Sequence, residues 1–124
     1  MATISPTISM RGHDDSVRIY KFETLTTTNA DGSPIAIPEY SQRSVQVIGT
    51  FGAGGTIVVQ GSNDGGTTWA TLNDPQGSAL SLTAAGVHSV QELSGLTRVN
   101  VTGGDGTTDL DAYVLCRRPT RLRA

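Results

Sequence analysis

The sequence predicts an all-β protein, a small antiparallel β-sandwich or jelly roll, and three observations support this. Fifteen glycines and abundant Thr and Ser stand beside a single Lys in 124 residues, a composition of turns and β-surface rather than of helix. Apolar residues alternate with polar ones in short runs, as in Val17-Arg18-Ile19-Tyr20-Lys21-Phe22 and in Leu110-Asp111-Ala112-Tyr113-Val114-Leu115-Cys116. That is the period of strands with a covered face. Turn formers separate these runs at intervals of roughly ten residues, the spacing of a chain folded from many short strands.

The elements follow in order. Residues 1–15 are polar and irregular, with Pro6, Gly12 and the charged group His13-Asp14-Asp15, and read as an extended N-terminal arm. Ordered structure is expected from about Val17, with the sandwich domain over residues 16–116 and a basic C-terminal tail over 117–124. Ile35-Ala36-Ile37 lies between Pro34 and Pro38, which suits an edge strand or a bulge. Residues 44–51 and 56–62 read as the two strands of a hairpin closed by the Gly52–Gly55 turn, with Val45, Val47, Ile57 and Val59 facing the core. Residues 68–72 form a further strand, ended by Asn73-Asp74-Pro75-Gln76-Gly77. Leu80 and Leu82 alternate before Ala85-Gly86, and residues 87–93 follow. Ser94-Gly95 then turns the chain into residues 96–102, where Thr97, Val99 and Val101 share a face. After Gly103-Gly104-Asp105-Gly106 the last strand puts Leu110, Ala112, Val114 and Cys116 on one side and Tyr113 and Leu115 on the other.

The most specific motif is Ser62-Asn63-Asp64-Gly65-Gly66-Thr67-Thr68-Trp69, which sets Ser62, Asp64, Gly66, Thr68 and Trp69 at the offsets of an Asp-box. It resembles the hairpin turns of sialidases and of many virion proteins. Short side-chain oxygens accept bonds from nearby amides, glycine takes positive φ, and the tryptophan lies across the hairpin. Such a motif staples a turn; it does not by itself imply chemistry.

Candidate reactive groups are sparse. His13 lies on the arm beside Asp14 and Asp15, without a frame to hold general-base geometry. His88 and Ser89 are neighbours in a strand, so their side chains point to opposite faces and make no nucleophile–base pair. Cys116, the only cysteine, allows no internal disulfide and reads as a packed core thiol. Asp105, Asp109 and Asp111 could offer oxygens to a calcium ion, but acidic turn residues are common for backbone reasons. The glycines at 52, 54 and 55 join two strands, with no helix terminus to cradle a phosphate. No paired carboxylates suit glycoside cleavage. The expectation is a chain without enzymatic activity, metal or cofactor. Asn100-Val101-Thr102 fits a glycosylation acceptor, but residues 1–6 carry no secretory pattern. With no apolar run long enough to span a bilayer, the chain is expected to be soluble and made in the cytoplasm.

The formal net charge of −2 is unevenly spread, because Arg117, Arg118, Arg121 and Arg123 fall in the last eight residues and no acid follows Asp111. Four arginines without interleaved aromatics make a weak case for nucleic acid and suit an acidic protein partner equally well.

Across residues 45–114, the Asp-box segment, the Leu72-Asn73-Asp74-Pro75-Gln76-Gly77 turn and Val101-Thr102-Gly103-Gly104-Asp105-Gly106-Thr107-Thr108 resemble small structural proteins of tailed bacteriophages. The resemblance implies a decoration or cement protein on the capsid exterior, a homo-oligomer, dimer or trimer, that bridges major capsid protein subunits; it carries over no functional residues, and the Asp-box positions only as structure. It leaves two alternatives: a tail, neck or fibre-associated virion component, and a carbohydrate-binding module. The second would need exposed aromatics, and the chain has only six aromatic residues, Tyr20, Phe22, Tyr40, Phe51, Trp69 and Tyr113, to divide between core and surface.

Overall fold

The computed structural model describes residues 3–12 and 16–118, and these form an antiparallel β-sandwich without a helix. One sheet contains β1 (Thr7–Arg11), β2 (Val17–Leu25), β10 (Asp109–Arg117), β4 (Gln42–Thr50) and β8 (Gly86–Val90), in the order β1-β2-β10-β4-β8. The other contains β3 (Ile35–Ala36), β9 (Leu96–Gly103), β5 (Thr56–Ser62) and β6 (Ala70–Thr71), in the order β3-β9-β5-β6, with β7 (Ser81–Leu82) pairing β5 next to β6.

The core is the overlap of two alternating patterns. Phe22, Leu25, Val45, Val47, Leu110, Ala112, Val114 and Cys116 face inward from the first sheet, while Ile57, Val59, Val99 and Val101 face them from the second. Ile37, Tyr40, Leu72 and Leu80 close the ends from connecting segments. β10 follows its period without a break, with every even-numbered residue from Leu110 to Cys116 buried, as alternation requires of a strand between two neighbours.

The hairpin expected of residues 44–51 and 56–62 is not formed. Both strands exist and both bury the expected valines and isoleucine, but β4 pairs with β10 and β8, whereas β5 pairs with β9, β6 and β7. The Gly52–Gly55 link is a corner that carries the chain from one sheet to the other. The two strands therefore meet across the core instead of side by side.

The N-terminal arm is likewise corrected over its described residues. β1 pairs with β2 along the edge of the first sheet, and Ile4 lies parallel to residues 31–33 at the edge of the second, with Ile4 N donating to Asp31 O at 2.8 Å and Ser33 N to Ile4 O at 2.8 Å. Residues 3–11 thus run from one sheet edge to the other and seal that side of the sandwich, with Ile4 packed on the core. Every β1 side chain is exposed, so this strand is held by its main chain and leaves no hydrophobic period to read. The strand expected over 68–72 contracts to Ala70–Thr71, and that over 87–93 ends at Val90. Ile35–Ala36 is an edge strand, as its flanking prolines suggest.

Candidate functional site

The Asp-box turn is built as its residues imply. Ser62 Oγ donates to Asp64 Oδ1 at 2.7 Å and accepts from the Gly66 amide at 3.0 Å. Asp64 Oδ1 also accepts from the Thr68 amide at 2.9 Å. Gly65 and Gly66 take φ of 78° and 90°, a left-handed path that a side chain would strain. The Thr68 amide, followed by the Ser62 hydroxyl, holds the Asp64 carboxyl at about 2. Trp69 does not lie bare across the hairpin. The Arg98 guanidinium sits 4.2 Å from its ring centroid and donates through Nε to Gln60 Oε1 at 2.9 Å. Asn63 Oδ1 accepts from the Gly95 amide at 2.7 Å and ties the turn to the link between β8 and β9.

A surface cleft of about 490 Å³ lies beside this turn, between Ser62, Asp64 and Leu72 on one side and Glu92, Leu93 and Ser94 on the other. Its two carboxylates are already engaged. Glu92 Oε1 accepts from the Asn73 amide at 2.6 Å and Oε2 from the Asn73 side-chain nitrogen at 3.0 Å, which together draw its pKa down.

A second latch closes the corner between β4 and β5. Asp105 Oδ2 accepts from the Ala53 amide at 3.0 Å, and Oδ1 from the hydroxyl and amide of Thr107 at 2.6 and 2.9 Å. The Thr107 hydroxyl, then the Ala53 amide, hold this carboxyl at about 2 as well. Thr108 Oγ1 donates to Phe51 O at 2.7 Å and accepts from the Asp105 amide at 2.9 Å. The three acids that could serve calcium are dispersed: Asp105 holds the corner, Asp109 is exposed at the start of β10 opposite Thr50, and Asp111 Oδ1 accepts from the Thr24 amide at 3.0 Å. There β2 bulges, with Glu23 and Thr24 opposite Asp111 alone and Thr24 at φ 60°. Among the described residues no three His, Cys, Asp or Glu side chains gather as a metal site.

One buried polar cluster lies outside the sequence-based expectations. Arg43 is only 5% exposed, on the inward face of β4 in phase with Val45 and Val47. Its Nε donates to Tyr40 O at 2.8 Å, one terminal nitrogen to Ile37 O and Ser94 O at 2.6 and 2.9 Å, and the other to Thr97 Oγ1 at 2.9 Å and Ser94 Oγ at 3.4 Å. Burial lowers its pKa, yet a guanidinium remains charged, so this is a cation held by neutral oxygens of both sheets' ends. The signal was its phase: two residues before Val45, an inward position was already implied.

Cys116 is a buried core thiol opposite Arg43, pushed up to about 11 by burial. His88 and Ser89 do point to opposite faces, paired with inward Val45 and outward Ser44. Of the tail arginines, Arg117 belongs to β10 and donates through Nε to Gln42 Oε1 at 2.6 Å. Arg118 lies 5.9 Å from the Tyr40 ring centroid, with its amide bonded to Ser16 O at 3.0 Å. Arg121, Arg123 and the His13-Asp14-Asp15 group lie outside the described residues. Register also brings Arg11 opposite Arg18, and Arg18 opposite Cys116, so five arginines (11, 18, 43, 117 and 118) collect at the end where β10 finishes.

These features define an antiparallel β-sandwich whose polar side chains tie down its own turns. Comparison with protein-family models, with curated proteins and with solved structures finds no match.

Proposed function

We propose that this chain is a structural protein of a phage-type virion, a decoration or cement protein that binds the major capsid protein lattice from outside and strengthens the head. The observation that carries the reading is what its polar groups are used for: Ser62, Asp64, Glu92, Asp105, Thr108 and Arg43 all hold turns or sheet ends. A sandwich spending its polar chemistry on rigid loops suits a part that works by shape. The Asp-box and glycine-rich turns resemble those of phage structural proteins, which supports the same reading. We further read the winding as a jelly roll, because β2, β3, β4 and β5 alternate between sheets, as do β8, β9 and β10.

Partner contact is assigned to the arginine end, from which residues 119–124 continue with Arg121 and Arg123. Guanidinium groups there would pair with carboxylates of the lattice, and many copies would add weak contacts into firm attachment. Binding to particles stripped of the protein tests this. Arg121→Glu with Arg123→Glu should abolish occupancy while leaving the melting temperature unchanged; full occupancy by this variant would refute the assignment. Copy number separates the two virion readings, since hundreds of copies per particle mark a shell protein and a dozen or fewer a tail or neck component. The carbohydrate-binding alternative loses support from Trp69, whose ring carries Arg98.

A further inference from the structure

We propose that the chain pairs with a second copy of itself edge to edge through β8, so that the five-stranded sheet continues across a two-fold axis. The four lateral edges of the two sheets differ in how they are protected. β1 ends the first sheet with a register break between Ile8 and Met10 and with Arg11 at its end. On the β3 side of the second sheet, residues 31–33 are covered by Ile4. At the opposite edge, β6 and β7 are two residues each, separated by the turn that the Asn73–Ala79 bridge closes. Breaks, charges and covering segments are the means by which sheets refuse further strands.

Among the described residues, β8 shows neither a break nor a charge, and no further segment bonds to its main chain. Gly86–Val90 pairs with β4 through all five residues without a bulge and contains no proline, Asp, Glu, Lys or Arg. Among the described residues, no backbone hydrogen bond beyond the sheet involves residues 86–90. Val87 on this strand, 64% exposed, is also the most exposed large hydrophobic residue among those described. The edge is therefore open to strand addition, in which main-chain bonds supply affinity.

A second copy is the occupant that fits. A two-fold axis through His88 sets Gly86 against Val90, and Val87 against Ser89, of the second copy, so no like-charged Asp, Glu, Lys or Arg pair arises and the contact closes on itself. Pairing β8 with β1 of another copy would propagate without end, and the bulge and Arg11 of β1 oppose it. The inference stands apart from the virion reading and survives its failure.

Sedimentation equilibrium and amide hydrogen exchange on the full chain, from about 1 µM to about 500 µM, test it by mass action. The chain should move from monomer toward dimer, with exchange at residues 86–90 slowing as concentration rises. Val87→Lys and Ser89→Lys, both at exposed outward positions, should weaken association at least about tenfold by guarding the edge and leave the circular dichroism melt unchanged. Met10→Lys on β1 should leave association as it is. Three results would overturn the proposal: a monomer throughout, a dimer indifferent to both β8 lysines, or protection of β8 only when a different protein is added. If the lysine variants fail to fold, the exchange profile of the unaltered chain decides alone.

Discussion

The Ser62–Trp69 turn and the Arg43 clasp solve one problem at two ranges of chain. In the turn, Ser62 and Asp64 satisfy amides two to four residues away, so the whole device lies within a short stretch. In the clasp, one guanidinium satisfies oxygens three and six residues back in the chain and others 51 and 54 residues ahead. The first shapes a hairpin; the second fixes how two sheets meet. Local polar devices thus decide the course of a loop, while the distant one ties together segments that the chain itself does not hold side by side. A cation inside the protein is tolerable only because each donor finds an oxygen, and those oxygens in turn depend on it.

Removing the clasp is therefore the harshest break. Arg43→Ala should destabilise the fold by about 3–4 kcal/mol, because the buried carbonyls of Tyr40 and Ser94 lose their guanidinium donor and that of Ile37 keeps only the Tyr40 amide. Arg43→Met, which fills the space but donates nothing, should recover little of that loss. Chemical denaturation read by circular dichroism measures both. A cost below that of the local latches would mean that water replaces the guanidinium and that the clasp is not central.

The corner latch lies between the two extremes, joining Phe51 and Thr108 across 57 residues. Thr108→Val keeps the shape but strips the Phe51 carbonyl and the Asp105 amide of a partner, and should cost about 1–2 kcal/mol. Thr108 is 3% exposed, so solvent has little access to make good the loss. If the same measurement finds the variant neutral, the corner is held by Asp105 alone.

The sequence was legible where a device is complete within a few residues or where period alone decides. The β10 faces follow from alternation, and the Asp-box from fixed offsets. The β4–β5 link failed because a Gly-rich stretch between apolar strands serves a hairpin or a corner equally well. What selects the corner is Asp105 and Thr108, distant in sequence. β1 gives no signal because none of its side chains is buried. Arg43 carries two conflicting messages, an inward phase and a charge, and only the oxygens gathered from both sheets' ends reconcile them.

Acid separates the two aspartate latches from the clasp. Asp64 and Asp105 are lowered from 3.8 to about 2 in the folded chain, so they stabilise it while ionised. That contribution is complete above about pH 4 and is lost as pH falls toward 2, when the folded carboxylates also protonate. Asp64→Asn and Asp105→Asn should each remove up to about one proton from the uptake that accompanies unfolding in this window. Arg43→Met should shift stability evenly with pH across it. Potentiometric or pH-dependent denaturation data with unchanged proton uptake in both Asn variants would show that neither carboxylate is held down by its amides.

The mildest test sits on the outer face of the Asp-box hairpin. Arg98 stacks on Trp69 and bonds to Gln60, joining the turn to β9 and β5 without entering the core. Arg98→Ala should cost about 0.5–1 kcal/mol, the scale of a partly exposed cation–π contact, while moving the emission of Trp69 because the ring gains solvent on one side. Since Trp69 is the only tryptophan, fluorescence reports this turn alone. The local latch of Ser62 and Asp64 should keep the hairpin shape, so the spectrum changes while the far-ultraviolet dichroism does not. Loss of the hairpin on this single change would invert the comparison, because the turn would then depend on its neighbours as fully as the two sheets depend on Arg43.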